Sequence, residues 1–171
     1  MCKNILSVAL LFSWFIVSGT AIAEVSKCEL DNAKLRAMPV IEVELIRSDD
    51  TRKIVTAKLA NNNATRAAGF QRVCESTIKA MPILFVFNHA VTPQFHMHNV
   101  VAPIDIAFID GTGAIDSLHA MTPYVLASKK RPLYGPTGPV VAAFEVHKGF
   151  YEDNNIDLQS RIVWRDKIVD E

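Results

Sequence analysis

His96 and His98 stand two residues apart in Phe95-His96-Met97-His98-Asn99, inside a stretch from Gln94 to Val101 that reads as extended. Alternate residues of a strand share a face, so both imidazoles would emerge on one side. Zinc and copper sites on sheets use that spacing, because two such ligands can converge on one ion. A familiar site would also want a glutamate three or four residues beyond the second histidine, where this chain carries Val101 and Ala102. A third ligand would have to come from His89, His119, His147 or Asp105. Histidine pairs on half-exposed strands more often serve as polar surface or stack on each other, so neither a metal nor another cofactor is expected.

Asp105 lies between Ile104 and Ile106. A lone carboxylate buried there would be expensive, so it should have a partner, with Arg66 and His98 the obvious candidates. Arg66, His98, Asn99 and Asp105 are therefore expected to converge in one cluster at a cavity mouth, with Arg66 paired to Asp105. Such a cluster could hold a small polar molecule or a glycan. It could equally be structural, fixing a short helix to a sheet. Asp105 with Glu145 could supply the acid and base of a glycosidase, although carboxylates so far apart in a chain meet that description often by chance. A hydrolase using His96, His98 and Asp105 is the catalytic alternative to a binding domain, and a purely structural envelope protein is the third.

Several chemistries lack their motifs. The sequence has no Gly-x-Ser-x-Gly elbow, no glycine-rich phosphate loop, no His-Glu-x-x-His and no Cys-x-x-Cys. Phe70, Phe85, Phe87, Phe95 and Phe108 fall at strand or helix-end positions, where aromatic rings usually build a core.

Short strands must position these residues. Ile41, Val43 and Leu45 alternate with Glu42 and Glu44, and Val55, Ala57 and Leu59 repeat the pattern after Asp49-Asp50, which predicts a hairpin. Asn61-Asn62-Asn63 offers capping side chains to a helix beginning near Ala64 and ending at Gly69. Ile83 to Phe87 is a buried apolar run. Ile104 to Ile109 and Ala114 to Leu118 flank the turn Asp110-Gly111-Thr112-Gly113. The proline-rich stretch from Thr122 to Gly138 is a long loop. Val140 to Val146 and Ser160 to Trp164 complete the set. About eight short strands with one small helix predict a mainly β domain, a compact sandwich or barrel.

The first 23 residues read as an export signal. Lys3 charges the head, Ile5 to Val17 is a 13-residue apolar run, and Ala21-Ile22-Ala23 fits a small-x-small cleavage site. A membrane span would need about 20 apolar residues, so cleavage is favoured over an anchor. Residues 24–40 form an irregular lead-in, residues 41–164 one β domain, and residues 165–171 a tail. Without Lys3 the chain carries 17 basic and 18 acidic residues, a balance that argues against bulk nucleic-acid binding. Cleavage also removes Cys2, and in an oxidising compartment Cys28 and Cys74 most simply pair. The rival is a Cys74 nucleophile, which an oxidising compartment disfavours. A periplasmic or secreted protein without a stable membrane span is expected.

Several blocks resemble the domain of unknown function 192 family. They are Thr65-Arg66-Ala67-Ala68-Gly69-Phe70-Gln71, the strand Ile83 to Phe87, Phe95 to Asn99 with Pro103-Ile104-Asp105-Ile106, and Phe144-Glu145-Val146 with Gly149. The resemblance spans roughly Ile41 to Trp164 and implies a compact β-sandwich with no defined activity. Asn99 and Asp105 match the family pattern. His96 and His98 replace its usual tryptophan and lysine, and a histidine matches a lysine's charge only below about pH 6.5 unless a neighbour raises its pKa. The expectation is thus an exported, non-catalytic binding or accessory domain.

Overall fold

The computed structural model describes residues 28–30, 32–124 and 128–168, so the expected signal segment lies outside the described residues. In chain order the elements are α1 (Ala33–Arg36), β1 (Val40–Ile46), β2 (Arg52–Ala60), α2 (Asn63–Ala68), α3 (Glu75–Ala80), β3 (Ile83–Val91), β4 (Phe95–His96), β5 (Ile104–Ile109), β6 (Ile115–Met121), β7 (Leu133–Tyr134), β8 (Val140–His147), α4 (Phe150–Asp153) and β9 (Arg161–Ile168). The mainly β expectation holds. The architecture is a mixed seven-stranded sheet, ordered β6-β5-β8-β3-β2-β1-β9, with a separate β4-β7 ribbon.

The predicted hairpin is β1-β2, in register from Val40 opposite Lys58 to Ile46 opposite Arg52. Asp49 closes its turn by accepting from the Thr51 N–H at 2.9 Å and the Thr51 hydroxyl at 2.6 Å. β2 and β3 run parallel, so the chain between them must cross over, and α2 and α3 occupy that crossover. Asn62 caps α2 in a reciprocal box with Thr65, and Gly69 ends the helix at φ 48° and ψ −142°. The expected single helix is thus joined by three others of four to six residues. Helices this short carry no readable 3.6-residue period, and packing rather than propensity holds them.

The sheet curls without closing into a barrel. Among the described residues its two edges are joined at one corner, where Ala114 bridges to Arg161 and the Ile162 N–H donates to the Gly113 carbonyl at 2.9 Å. A Cβ on Gly113 would fall 2.8 Å from Val163 Cγ1, so only glycine fits this corner.

The two faces of the sheet carry separate cores. One holds Ile41, Val43, Leu45, Leu84, Ala107, Phe144 and Val146, and α4 packs on it through Phe150 and Tyr151. The other holds Ile83, Phe85, Ile106, Phe108 and Ala143, covered by Leu35, Phe70 and Ile78 of the N-terminal helices and their connections. Cys28 and Cys74 form a disulfide with their Cα atoms 4.9 Å apart, and Glu29 bridges Val73 beside it. The expected lead-in is therefore fastened to the helical side of the sheet.

Candidate functional site

The site lies on that helical side. Phe85 on β3, Phe95 on β4 and Phe108 on β5 stack edge to face, with centroids 5.1 Å apart for the first pair and 5.5 Å for the second. Such contacts add roughly 0.5–1.5 kcal/mol each beyond burial. They fix the β4-β7 ribbon over the sheet, where Phe95 pairs with Tyr134. On the far side His119 holds the ribbon, its Nε2 donating to the Gly135 carbonyl at 3.0 Å.

Between α2, the ribbon and the sheet lies a pocket of about 320 Å³. Phe70, Phe85, Phe87, Phe95 and Val100 give it an apolar wall, Arg66, Gln71, Gln94 and His96 its polar side, and Glu145 belongs to its lining. Gly69 leaves the space beside Glu145, because a Cβ there would sit 3.8 Å from Glu145 Oε2 and 3.6 Å from Phe85 Cζ.

Glu145 occupies the centre of the sheet, opposite Ile83 on β3 and Ile106 on β5. It is only 5% exposed, and among the described residues no donor or cation pairs with its carboxyl. No buried side-chain polar atom among those residues is sealed off without a partner, so the Glu145 oxygens open onto the pocket. Burial pushes this carboxyl up to about 8, and it is protonated at neutral pH.

Arg66 does not meet Asp105. Its Nη1 donates to the Val86 carbonyl at 2.9 Å and its Nη2 to Asn63 Oδ1 at 2.8 Å. Asp105 instead accepts from the Gly149 N–H at 2.7 Å. Side chains alternate along β5: Ile104 and Ile106 join the helical-side core and Ala107 the other, so Asp105 faces the α4 side. Burial raises its carboxyl above the ordinary range, opposed by the Gly149 N–H and by the charges of His147 and Lys148. The expected Arg66–Asp105 pair is therefore not formed. The glycosidase pair fails for the same reason, since Glu145 projects to the opposite face from Asp105.

The other candidates lie nearer the pocket. His96 is at its edge, and its ring meets that of His98 edge to face at 6.1 Å. The stretch expected to be one strand extends only over Phe95–His96, and the next residues turn, so His98 does not continue a strand face. Its N–H donates to His96 Nδ1 at 3.2 Å, which leaves Nδ1 an acceptor rather than a free ligand. Among the described residues no group of three or more His, Cys, Asp or Glu side chains could hold a metal ion. Asn99, at φ 59°, lines an adjoining polar groove of about 470 Å³ with Glu29, Asn32, Lys34 and Arg72. Ala68 and Gln71 form the wall shared by groove and pocket.

Sequence reasoning passed over Glu145 as a pocket residue. The available signal was one acid inside the otherwise apolar run Val140 to Val146, the mark of a central strand with something to hold.

Fold and site together define a mainly β domain with a small aromatic pocket around a solitary carboxyl. Residues 44–164 match the domain of unknown function 192 family, described as "Uncharacterized ACR", and the chain belongs to that family. The fold is similar to that of a "putative transcription regulator" from Sinorhizobium meliloti 1021, at 21% identity and a TM-score of 0.65 over 74% of this chain and 95% of that one. It is also similar to a protein of unknown function from Novosphingobium aromaticivorans DSM 12444, at 20% identity and a TM-score of 0.64 over 80% and 99%. No functionally curated protein matches.

Proposed function

We propose that this chain is a small-molecule-binding domain of an exported protein, with the pocket beside Glu145 as its binding site. One observation carries the reading: a carboxyl 5% exposed, with no partner among the described residues, opens into an aromatic pocket of about 320 Å³. Unpaired polar groups at such depth are costly, and a ligand that completes the hydrogen bonding recovers that cost. A concave apolar wall with a few polar groups is the usual form of a small-molecule site.

Arg66, Gln71, Gln94 and His96 are the polar groups a ligand would meet in the pocket with Glu145. Asn99 lines the neighbouring groove, where a polar or sugar-like extension would lie, and His98 stands beside it in the chain with its ring against His96. Asp105 has no part in this reading, since it faces the other side of the sheet. Export rests on the N-terminal sequence and is supported by the Cys28–Cys74 disulfide, which suits an oxidising compartment. Among the described residues no helix is long and apolar enough to cross a membrane.

A thermal-shift screen with amines, amino acids, small aromatic alcohols and sugars tests the reading. Hits should raise the melting temperature of the wild-type protein and lose that effect in Glu145→Gln. A set of hits whose shifts are unchanged by Glu145→Gln contradicts it.

A further inference from the structure

We infer that the pocket beside Glu145 selects a cationic ligand, a compound with a primary ammonium group on a small apolar body, and that Glu145 is its counter-ion. The inference rests on the pocket being a ligand site, as proposed above, and adds which chemistry it takes.

Three observations favour a cation. Among the described residues the carboxyl has no positive partner, because Arg66, the one arginine or lysine in the pocket lining, is turned to the Val86 carbonyl and Asn63. The surfaces beside Glu145 are chiefly phenyl rings and Gly69. A wall of phenyl rings offers no hydrogen-bond donor to an anion, and it suits the apolar body of an ammonium compound. The pocket's volume also suits a body of about ten heavy atoms with its ammonium set against Glu145.

Binding then moves one proton. The empty site holds Glu145 as a neutral acid, the ligand arrives as an ammonium, and the ion pair forms as the carboxyl proton leaves to solvent. The other charged or titratable groups of the pocket lining are Arg66 on α2 and His96 on the ribbon; Lys58 lies two strands away on the same face, opposite Ile83, and Tyr151 acts on Glu145 from across the sheet. Tyr151 is held above its ordinary value by burial, so it does not titrate between pH 6 and pH 8. His96 is an exposed imidazole on the pocket lining. Its share of the pH dependence is separated from that of Glu145 by His96→Gln.

The test compares three probes of one shape, 2-phenylethylamine, 2-phenylethanol and phenylacetate, by titration calorimetry on the full chain. The amine should bind at least about ten-fold more tightly than the alcohol at pH 8. Its affinity should rise by up to about ten-fold per pH unit from pH 6 to pH 7 and more slowly towards pH 8, with proton release falling from close to one to about one half, as linkage requires. The rise should persist in His96→Gln. Glu145→Gln should erase both the preference and the proton release. An alcohol or phenylacetate that binds as well as the amine, or amine binding without proton release, overturns the ammonium assignment while leaving the pocket reading intact. If none of the three binds, the pocket reading falls and this inference falls with it.

Discussion

Glu145 pairs across the β5–β8 ladder with Ile106, not with Asp105, whose partner is Val146. That single-residue offset sends the two carboxyls to opposite faces of the sheet. One is satisfied by the Gly149 N–H at 2.7 Å, while the other has only a pocket to face. The chemistry of the domain divides along this line, with a structural acid on the α4 side and a free one on the helical side.

Glu145 should make the empty protein less stable as pH rises. Its carboxyl moves from an ordinary 4.5 in the unfolded chain to about 8 in the fold. Between those values the folded state holds a proton that the unfolded state has lost, so stability falls with pH at up to about 1.4 kcal/mol per unit. It is highest below the lower value and levels off above the upper. Urea unfolding from pH 4 to pH 9 should show the decline in the wild-type chain, and Glu145→Gln should largely flatten it. Parallel curves for both proteins would show that the carboxyl is not held neutral.

Asp105→Ala should act on stability and leave the pocket alone. The change removes a partly buried acceptor from the Gly149 N–H, the N-cap of α4 at φ 85°. A hydrogen bond to a charged group contributes about 1.5–3 kcal/mol, and a loss of that order is expected in denaturant unfolding. Ligand-induced thermal shifts should survive the change. Their disappearance in a folded variant would place Asp105 back in the site.

Much of the fold was legible because strand alternation is local. Ile41-Val43-Leu45 against Glu42-Glu44 announces β1 without reference to anything distant, and Asn62 with Gly69 announces α2 at both ends. Which carboxyl faces which side was not legible. Asp105 and Glu145 each interrupt an apolar run, and only the register of two strands about 40 residues apart decides that Ile106 stands opposite Glu145. The assumption that polar residues in apolar surroundings must find one another held for neither: Asp105 found a backbone N–H, and Glu145 found a cavity. His98 was misplaced for a local reason, since the strand ends at His96 and the chain turns, with Asn99 in the left-handed region.

Gly69→Ala tests the geometry beside Glu145. At φ 48° and ψ −142° the backbone lies where an L side chain is strained by about 1–3 kcal/mol, although the added methyl would meet Phe85 and Glu145 only at ordinary contact distances. A stability loss in that range is expected, together with weaker ligand binding because the methyl occupies pocket space beside Oε2. An unchanged melting temperature would mean that the helix end does not adopt this conformation.

The Cys28–Cys74 bridge closes 46 residue steps. Reducing it should cost about 4 kcal/mol in the chain-entropy model. It should also loosen Glu29 from Val73, and with it one wall of the polar groove. Thiol titration of unfolded, unreduced protein should find neither cysteine free, and two reactive thiols would contradict the pairing.

The central claim, that Glu145 opens into a ligand pocket, is tested most directly by mapping bound fragments by NMR on the isotopically labelled protein. The account predicts that hits from a library of small amines and aromatic alcohols perturb the Gly69 amide and the ring signals of Phe85 and Phe95 together. It also predicts that Glu145→Gln, folded by the same spectrum, loses those perturbations for the amines. Fragments that cluster elsewhere on the domain, or amines that perturb Gly69, Phe85 and Phe95 equally in the wild-type protein and in Glu145→Gln, would contradict it.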